Sequence, residues 1–120
     1  MRSVRTLAAL WICLAGLGCR SAVMTATVTN HRATPIGLIE VDYPSASFGV
    51  QALAPGAQYQ YRFKVIGTGP MAVVWNEGGQ NQKKSSGPVL HEGDAGTVDV
   101  TFTSDADPAW NVKLTNRAIR

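Results

Sequence analysis

From residue 21 onward the chain alternates between apolar and polar positions with a period of two. Residues 58–65 (QYQYRFKV) set Tyr59, Tyr61, Phe63 and Val65 against Gln58, Gln60, Arg62 and Lys64. Neighbouring side chains on a strand point to opposite faces, so this segment lays an aromatic row on a core and a polar row in water. Residues 97–103 repeat the pattern with Val98, Val100 and Phe102 inward, residues 110–115 with Trp110, Val112 and Leu114, and residues 24–29 with Met24, Ala26 and Val28. Less regular runs fill the gaps. Residues 36–43 (IGLIEVDY) place Ile39, Val41 and Tyr43 inward and Glu40 and Asp42 outward, and residues 47–53 hold Phe48 and Val50 in a short edge strand. Residues 71–75 (MAVVW) are apolar on both faces, which marks a central or covered strand.

The punctuation fits strands. All six prolines (Pro35, Pro44, Pro55, Pro70, Pro88, Pro108) fall between these runs, as expected where a ladder needs every N–H. Ala54-Pro55-Gly56-Ala57 suits a type II turn, with proline presetting φ and glycine taking the positive φ after it. Gly78-Gly79 suits a tight hairpin, and residues 78–87 (GGQNQKKSSG) read as the low-complexity loop around it. No stretch after residue 20 has a helical period. The expectation is an all-β fold: an immunoglobulin-like antiparallel β-sandwich of seven to eight strands over residues 24–120, preceded by an N-terminal signal segment. A domain of this size rests on few large groups, here Tyr43, Phe48, Tyr59, Tyr61, Phe63, Trp75, Phe102 and Trp110. Met24 and Met71 read as core filler rather than copper ligands.

The pattern before residue 21 is different. Residues 1–6 are short and basic, and residues 7–18 (LAALWICLAGLG) are unbroken apolar, ending in small residues at Cys19. This is the layout of a secretory signal. The apolar run is well short of the roughly 20 residues that a helix needs to cross a membrane, which argues against a permanent transmembrane anchor. Both cysteines, Cys13 and Cys19, lie in this region, so no disulfide can staple the exported part.

Gly16-Leu17-Gly18-Cys19 resembles the lipobox of bacterial lipoproteins, although Gly16 and Leu17 stand in swapped order relative to that pattern. The resemblance implies a signal peptide over residues 1–18, an acylated Cys19 as the new N-terminus, and a lipidated tether over residues 19–23. Ordinary signal cleavage after the small residues is the alternative. Two or more acyl chains hold a protein firmly on a membrane where one holds weakly. Arg20 after the cysteine resembles outer-membrane sorting if the cell is Gram-negative.

A second resemblance covers residues 24–66. Val28-Thr29-Asn30 closing one strand and Leu53-Ala54-Pro55-Gly56 leading into another look like the layout of bacterial immunoglobulin-like modules such as the CARDB-type cell-adhesion-related domain. It implies the sandwich fold, and it implies a non-catalytic surface or envelope part. The Asn would satisfy a backbone group in the loop.

Charge and chemistry narrow the function. The chain has a formal net charge of +3, but after residue 18 only nine basic residues face all eight acids. A phosphate-binding surface needs clustered excess cations, and only Lys83 and Lys84 adjoin, so no nucleic-acid partner is expected. A Ser-His-Asp set from Ser85 or Ser86, His91 and Asp94 lacks the nucleophile elbow around its serine. Asp105 and Asp107 have the opening spacing of a calcium loop but neither its glycine nor its glutamate, and they read as a turn, with Asp107 or Ser104 bonding its own backbone. His31 and His91 read as exposed loop residues, and His91, Glu92 and Asp94 at most as a weak metal site. No catalytic residue, metal or cofactor is therefore expected. What remains is recognition: Trp75, Gln80, Asn81, Lys83 and Lys84 concentrate groups able to bond sugar hydroxyls or a peptide backbone.

The function expected from the sequence is a lipid-anchored, non-catalytic cell-envelope module. It would be exported, held to its membrane by N-terminal acyl chains, and act as a structural or protein-interaction part with an envelope protein partner. The alternative is a carbohydrate- or metal-binding sandwich domain of the periplasm or cell surface.

Overall fold

The computed structural model describes residues 22–77, 81–104 and 107–115, so Cys19 and Gln80 lie outside the described residues. Its strands are β1 (Met24–Asn30), β2 (Ile36–Tyr43), β3 (Ala46–Leu53), β4 (Gln58–Phe63), β5 (Gly69–Asn76), β6 (Gln82–Leu90), β7 (Gly96–Phe102) and β8 (Ala109–Leu114). They form two four-stranded sheets, ordered β4-β1-β7-β8 and β3-β2-β5-β6, which is the all-β sandwich that the alternation predicts. One pair departs from the antiparallel expectation: β1 runs parallel to β7.

Cross-strand partners share a face, so the register writes the core as rows. In the first sheet Tyr61, Ala26, Val98 and Val112 form one row, and Tyr59, Val28, Val100 and Trp110 the next. In these two rows the middle strands contribute small or β-branched groups with no exposure, Ala26, Val28, Val98 and Val100, while the rings sit on the flanking strands; Phe102, at the end of β7, is the buried ring that a middle strand adds. The opposite sheet answers with Ile39, Val41, Phe48, Met71, Val73 and Trp75, all buried. Ring contacts join the two layers: Tyr43 stacks on Phe63 with centroids 4.1 Å apart, Phe48 on Tyr61 at 4.5 Å, and Trp75 meets Phe102 edge-on at 5.2 Å. Tyr43, Tyr59, Tyr61 and Trp110 are only half-buried, because they seal the flanks of the sandwich rather than its centre.

Three local features depart from the sequence pattern. Residues 82–90 are a nine-residue edge strand, not a loop. Its polar composition hides it: β6 has one sheet neighbour and buries only Leu90, so it carries almost no apolar period. Second, Pro70 and Pro88 lie inside strands. The register slips there, pairing Pro70 with Val89 and then Ala72 with Ser86, so Gly87 and Pro88 bulge on an edge strand where a missing N–H is tolerated. Third, β2 bulges at Leu38, a non-glycine residue at φ 48°, between the pairs Gly37–Asn76 and Glu40–Val74. That extra residue explains why Ile36 and Ile39, three apart, are both inside while Leu38 points out.

Every connection returns the chain to the same two ends. At one end β1 begins at Met24, and the β2–β3, β4–β5 and β6–β7 connections gather; at the other lie residues 31–35, the 54–57 turn, the β5–β6 hairpin and the start of β8.

Candidate functional site

The end away from Met24 is built on Asn30. This last residue of β1 is fully buried; its Nδ2 donates to the carbonyls of Leu53 (2.9 Å) and Thr34 (3.0 Å), and its Oδ1 accepts the Arg32 N–H at 2.8 Å. Its backbone accepts from Gly56 N and donates to Ala57 O. Asn30 thus pins the 31–34 loop and the 54–57 turn together, and Gly56 at φ 77° supplies the positive φ expected in that turn. The backbone-satisfying role expected of this asparagine is what the hydrogen bonds show.

The pinned loop aims Arg32 across the sheet gap. Its Nη1 donates to both oxygens of Glu77, at 2.6 and 2.9 Å, and its guanidinium lies 5.5 Å from the centre of the Phe102 ring. Trp75 Nε1 donates to Glu77 Oε2 at 2.6 Å. Glu77 therefore closes a chain from the core to the surface: Phe102 edge-on to Trp75, Trp75 to Glu77, Glu77 to Arg32, and Arg32 over Phe102. The Arg32 hydrogen bond, the Trp75 N–H and the nearby positive charges of Arg32 and Lys83 hold the Glu77 carboxyl below its ordinary 4.5, against the opposing effect of burial. Beside this group His31, Arg32, Ala33, Thr34, Glu77 and Ser104 line an open polar cleft of about 490 Å³.

Of the expected recognition residues that are described, Trp75, Asn81 and Lys83 adjoin Glu77, each in a structural part, and Lys84 points away from them. Trp75 is 1% exposed: its ring belongs to the core, and only its N–H reaches Glu77. Asn81 closes the hairpin with its backbone, its carbonyl accepting the Glu77 N–H at 2.6 Å. Lys83 and Lys84 are exposed but consecutive on β6, in register with Trp75 and Val74 respectively, and so point to opposite faces.

The other chemical candidates are engaged in structure. Ser85 Oγ accepts the Trp110 Nε1–H at 3.2 Å. Asp94 is buried, and its Oδ2 accepts the His91 N–H at 2.8 Å within a turn at the Met24 end. Glu92 Oε1 accepts the Gly67 N–H at 2.8 Å. Among the described residues no group of three or more His, Cys, Asp or Glu side chains is placed to hold a metal ion.

Arg32 and Glu77 carry no signal in the sequence. They lie 45 positions apart, and no short motif joins them; only the crossing from β1 to β2 and the end of β5 bring them together.

No protein-family model matches the chain, and no curated protein does. Among solved structures, the chain is similar to a protein from Eubacterium rectale determined by NMR, with a TM-score of 0.53 and 12% identity over 79% of this chain and 92% of that one. At that identity the likeness concerns the fold alone.

Proposed function

We propose that this protein is a lipid-anchored, non-catalytic module of the bacterial cell envelope, acylated at Cys19 and presenting its Arg32–Glu77 end to an envelope partner. The observation that carries this reading is the polarity of the sandwich. β1 starts five residues after Cys19, and the polar cleft lies at the opposite end, facing away from an anchor there. The leader, with its basic start, apolar run and boundary cysteine, supports export and acylation.

A non-catalytic role fits the chemistry of the cleft. A general base needs a pKa near the working pH, and hydrogen bonds that stabilise its anion weaken it as a base. Both oxygens of Glu77 are taken by Arg32 and Trp75, and its pKa is lowered rather than raised. The test is Cys19→Ser, which should move the protein from the membrane to the soluble fraction, with N-terminal mass spectrometry of the wild type showing the acyl mass. Unchanged membrane retention would sink the reading.

The polar lining of the cleft favours a second reading, a carbohydrate-binding domain. Calorimetry against envelope glycans separates the two: heat that Arg32→Ala abolishes supports it, and no heat at millimolar sugar removes it.

A further inference from the structure

We infer that the Met24 end of the sandwich is itself a membrane-contacting face, with Ile66 as an apolar peg that enters the bilayer beside the acyl chains. The inference rests on the anchoring reading above and adds an orientation to it. Ile66 is 63% exposed, the most exposed of the large hydrophobics among the described residues, and it lies in the β4–β5 connection.

Ile66 is not a loosely hung side chain. Val65 before it is buried, and the Val65 carbonyl accepts the Gly93 N–H at 3.1 Å. Gly67 after it, at φ 85°, donates its N–H to Glu92 Oε1, and Thr68 Oγ1 accepts the Glu92 N–H. Two neighbouring turns thus brace each other and hold one isoleucine outward, so little further ordering is required for it to insert.

Its position matches the tether. Met24, where β1 begins, pairs with Phe63, three residues before Ile66. Met24 is five residue steps from Cys19, which reach at most about 18 Å when fully extended. A lipid anchor at Cys19 therefore keeps this end within reach of the headgroups. Exposed Lys64 and Lys113 lie at the same end and suit a peg at an anionic surface, with their apolar stems along it and their ammonium groups in the headgroup layer. Of the described acids at this end, exposed Glu92 has its carboxylate bonded to the Gly67 N–H, Asp94 is buried, and Asp42 is half-buried near the end of β2.

The test uses the full, processed protein in vesicles of phosphatidylethanolamine and phosphatidylglycerol, with a polarity-sensitive fluorophore at Ile66→Cys and, as the far-end control, at Ser104→Cys. Both positions are exposed, and unchanged circular dichroism verifies the fold. The expected result is blue-shifted emission at position 66 that is lost with brominated acyl chains, and water-like emission at position 104. A vesicle-bound protein whose label at position 66 stays in water overturns this inference and leaves the anchoring reading standing. A protein that remains in the aqueous phase with an unmodified Cys19 overturns the anchoring reading, and this inference with it.

Discussion

Asn30 is the residue whose loss should be felt most for its size. Asn30→Ala removes two bonds donated by Nδ2, to Leu53 and Thr34, and one accepted by Oδ1, from Arg32, all at a fully buried position. A buried hydrogen bond is worth about 1 kcal/mol net, and more where a partner is left unsatisfied, so the loss is at least about 3 kcal/mol. For a domain of this size each kcal/mol lowers Tm by about 4–8 °C, which gives a fall of roughly 12–24 °C by calorimetry. Asn30→Asp refines the test. It keeps the acceptor for Arg32 but turns a carboxylate toward two carbonyl oxygens. Burial and those dipoles raise the new carboxyl's folded pKa above its unfolded value. The Asp variant is therefore most stable when protonated at low pH, and it loses stability as pH rises through the raised folded pKa. A drop of under about 4 °C for Asn30→Ala, or an Asp variant whose deficit against wild type does not grow from acid to neutral pH, would refute the claim that this side chain ties the two loops together.

Phe63→Ala removes a buried ring stacked on Tyr43 at 4.1 Å and should cost about 3–5 kcal/mol in urea unfolding. Gly87→Ala would place a Cβ 2.7 Å from the Trp110 ring; by displacing that indole from Ser85 it should cost about 1–3 kcal/mol and change the tryptophan fluorescence. Glu77→Gln weakens the contacts to Arg32 and Trp75 by about 1–3 kcal/mol. Because the folded pKa of Glu77 is lowered, its contribution is complete above the ordinary 4.5 and fades as pH falls through the lowered value, so wild type and variant should converge in acid melts. Glu40 goes the other way: the hydrogen bond with Asp42 and that residue's negative charge raise its pKa, so Glu40→Gln should stabilise the protein at neutral pH, with the gain vanishing as the pH is lowered.

How much was legible follows from how local each signal is. Strands with one buried face announce themselves, because alternation needs only the neighbours: in β4, β7 and β8, and in β1 as far as Val28, parity matches burial, and only Thr29, at the buried Asn30 end of β1, breaks it. The motif of Asn30 with Leu53-Ala54-Pro55-Gly56 was also readable, since turn chemistry is local. The edge strand β6 was not. Its N–H and C=O groups are satisfied by β5, whatever its side chains are, so GGQNQKKSSG carries the composition of a loop while half of it pairs as a strand. Trp75 reads both as one of the large core groups and, from its polar neighbours, as a contact residue; on β5 it sits at an inward parity, edge-on to Phe102, and the core reading holds for its ring. Arg32 and Glu77 were out of reach for a different reason: what joins them is a crossing between sheets, and that is a property of topology.

That topology also separates the two proposed roles. Four connections cross between the sheets, and each stays at the end where its strand finished: residues 31–35 and the 54–57 turn at one end, residues 64–68 and 91–95 at the other. A seven-residue strand such as β1 holds the ends about 20 Å apart. Substitutions further apart than about 10 Å with no shared partners act independently. The strands between them are bound by rows of buried Val and Ala, which resist deformation because the interior is close-packed. A rigid spacer of this kind can be fixed to a surface by one end and recognise something with the other without either event disturbing its counterpart. Such a part needs a stiff core and two differently furnished ends, and it has no need of a proton donor, a nucleophile or a moving lid.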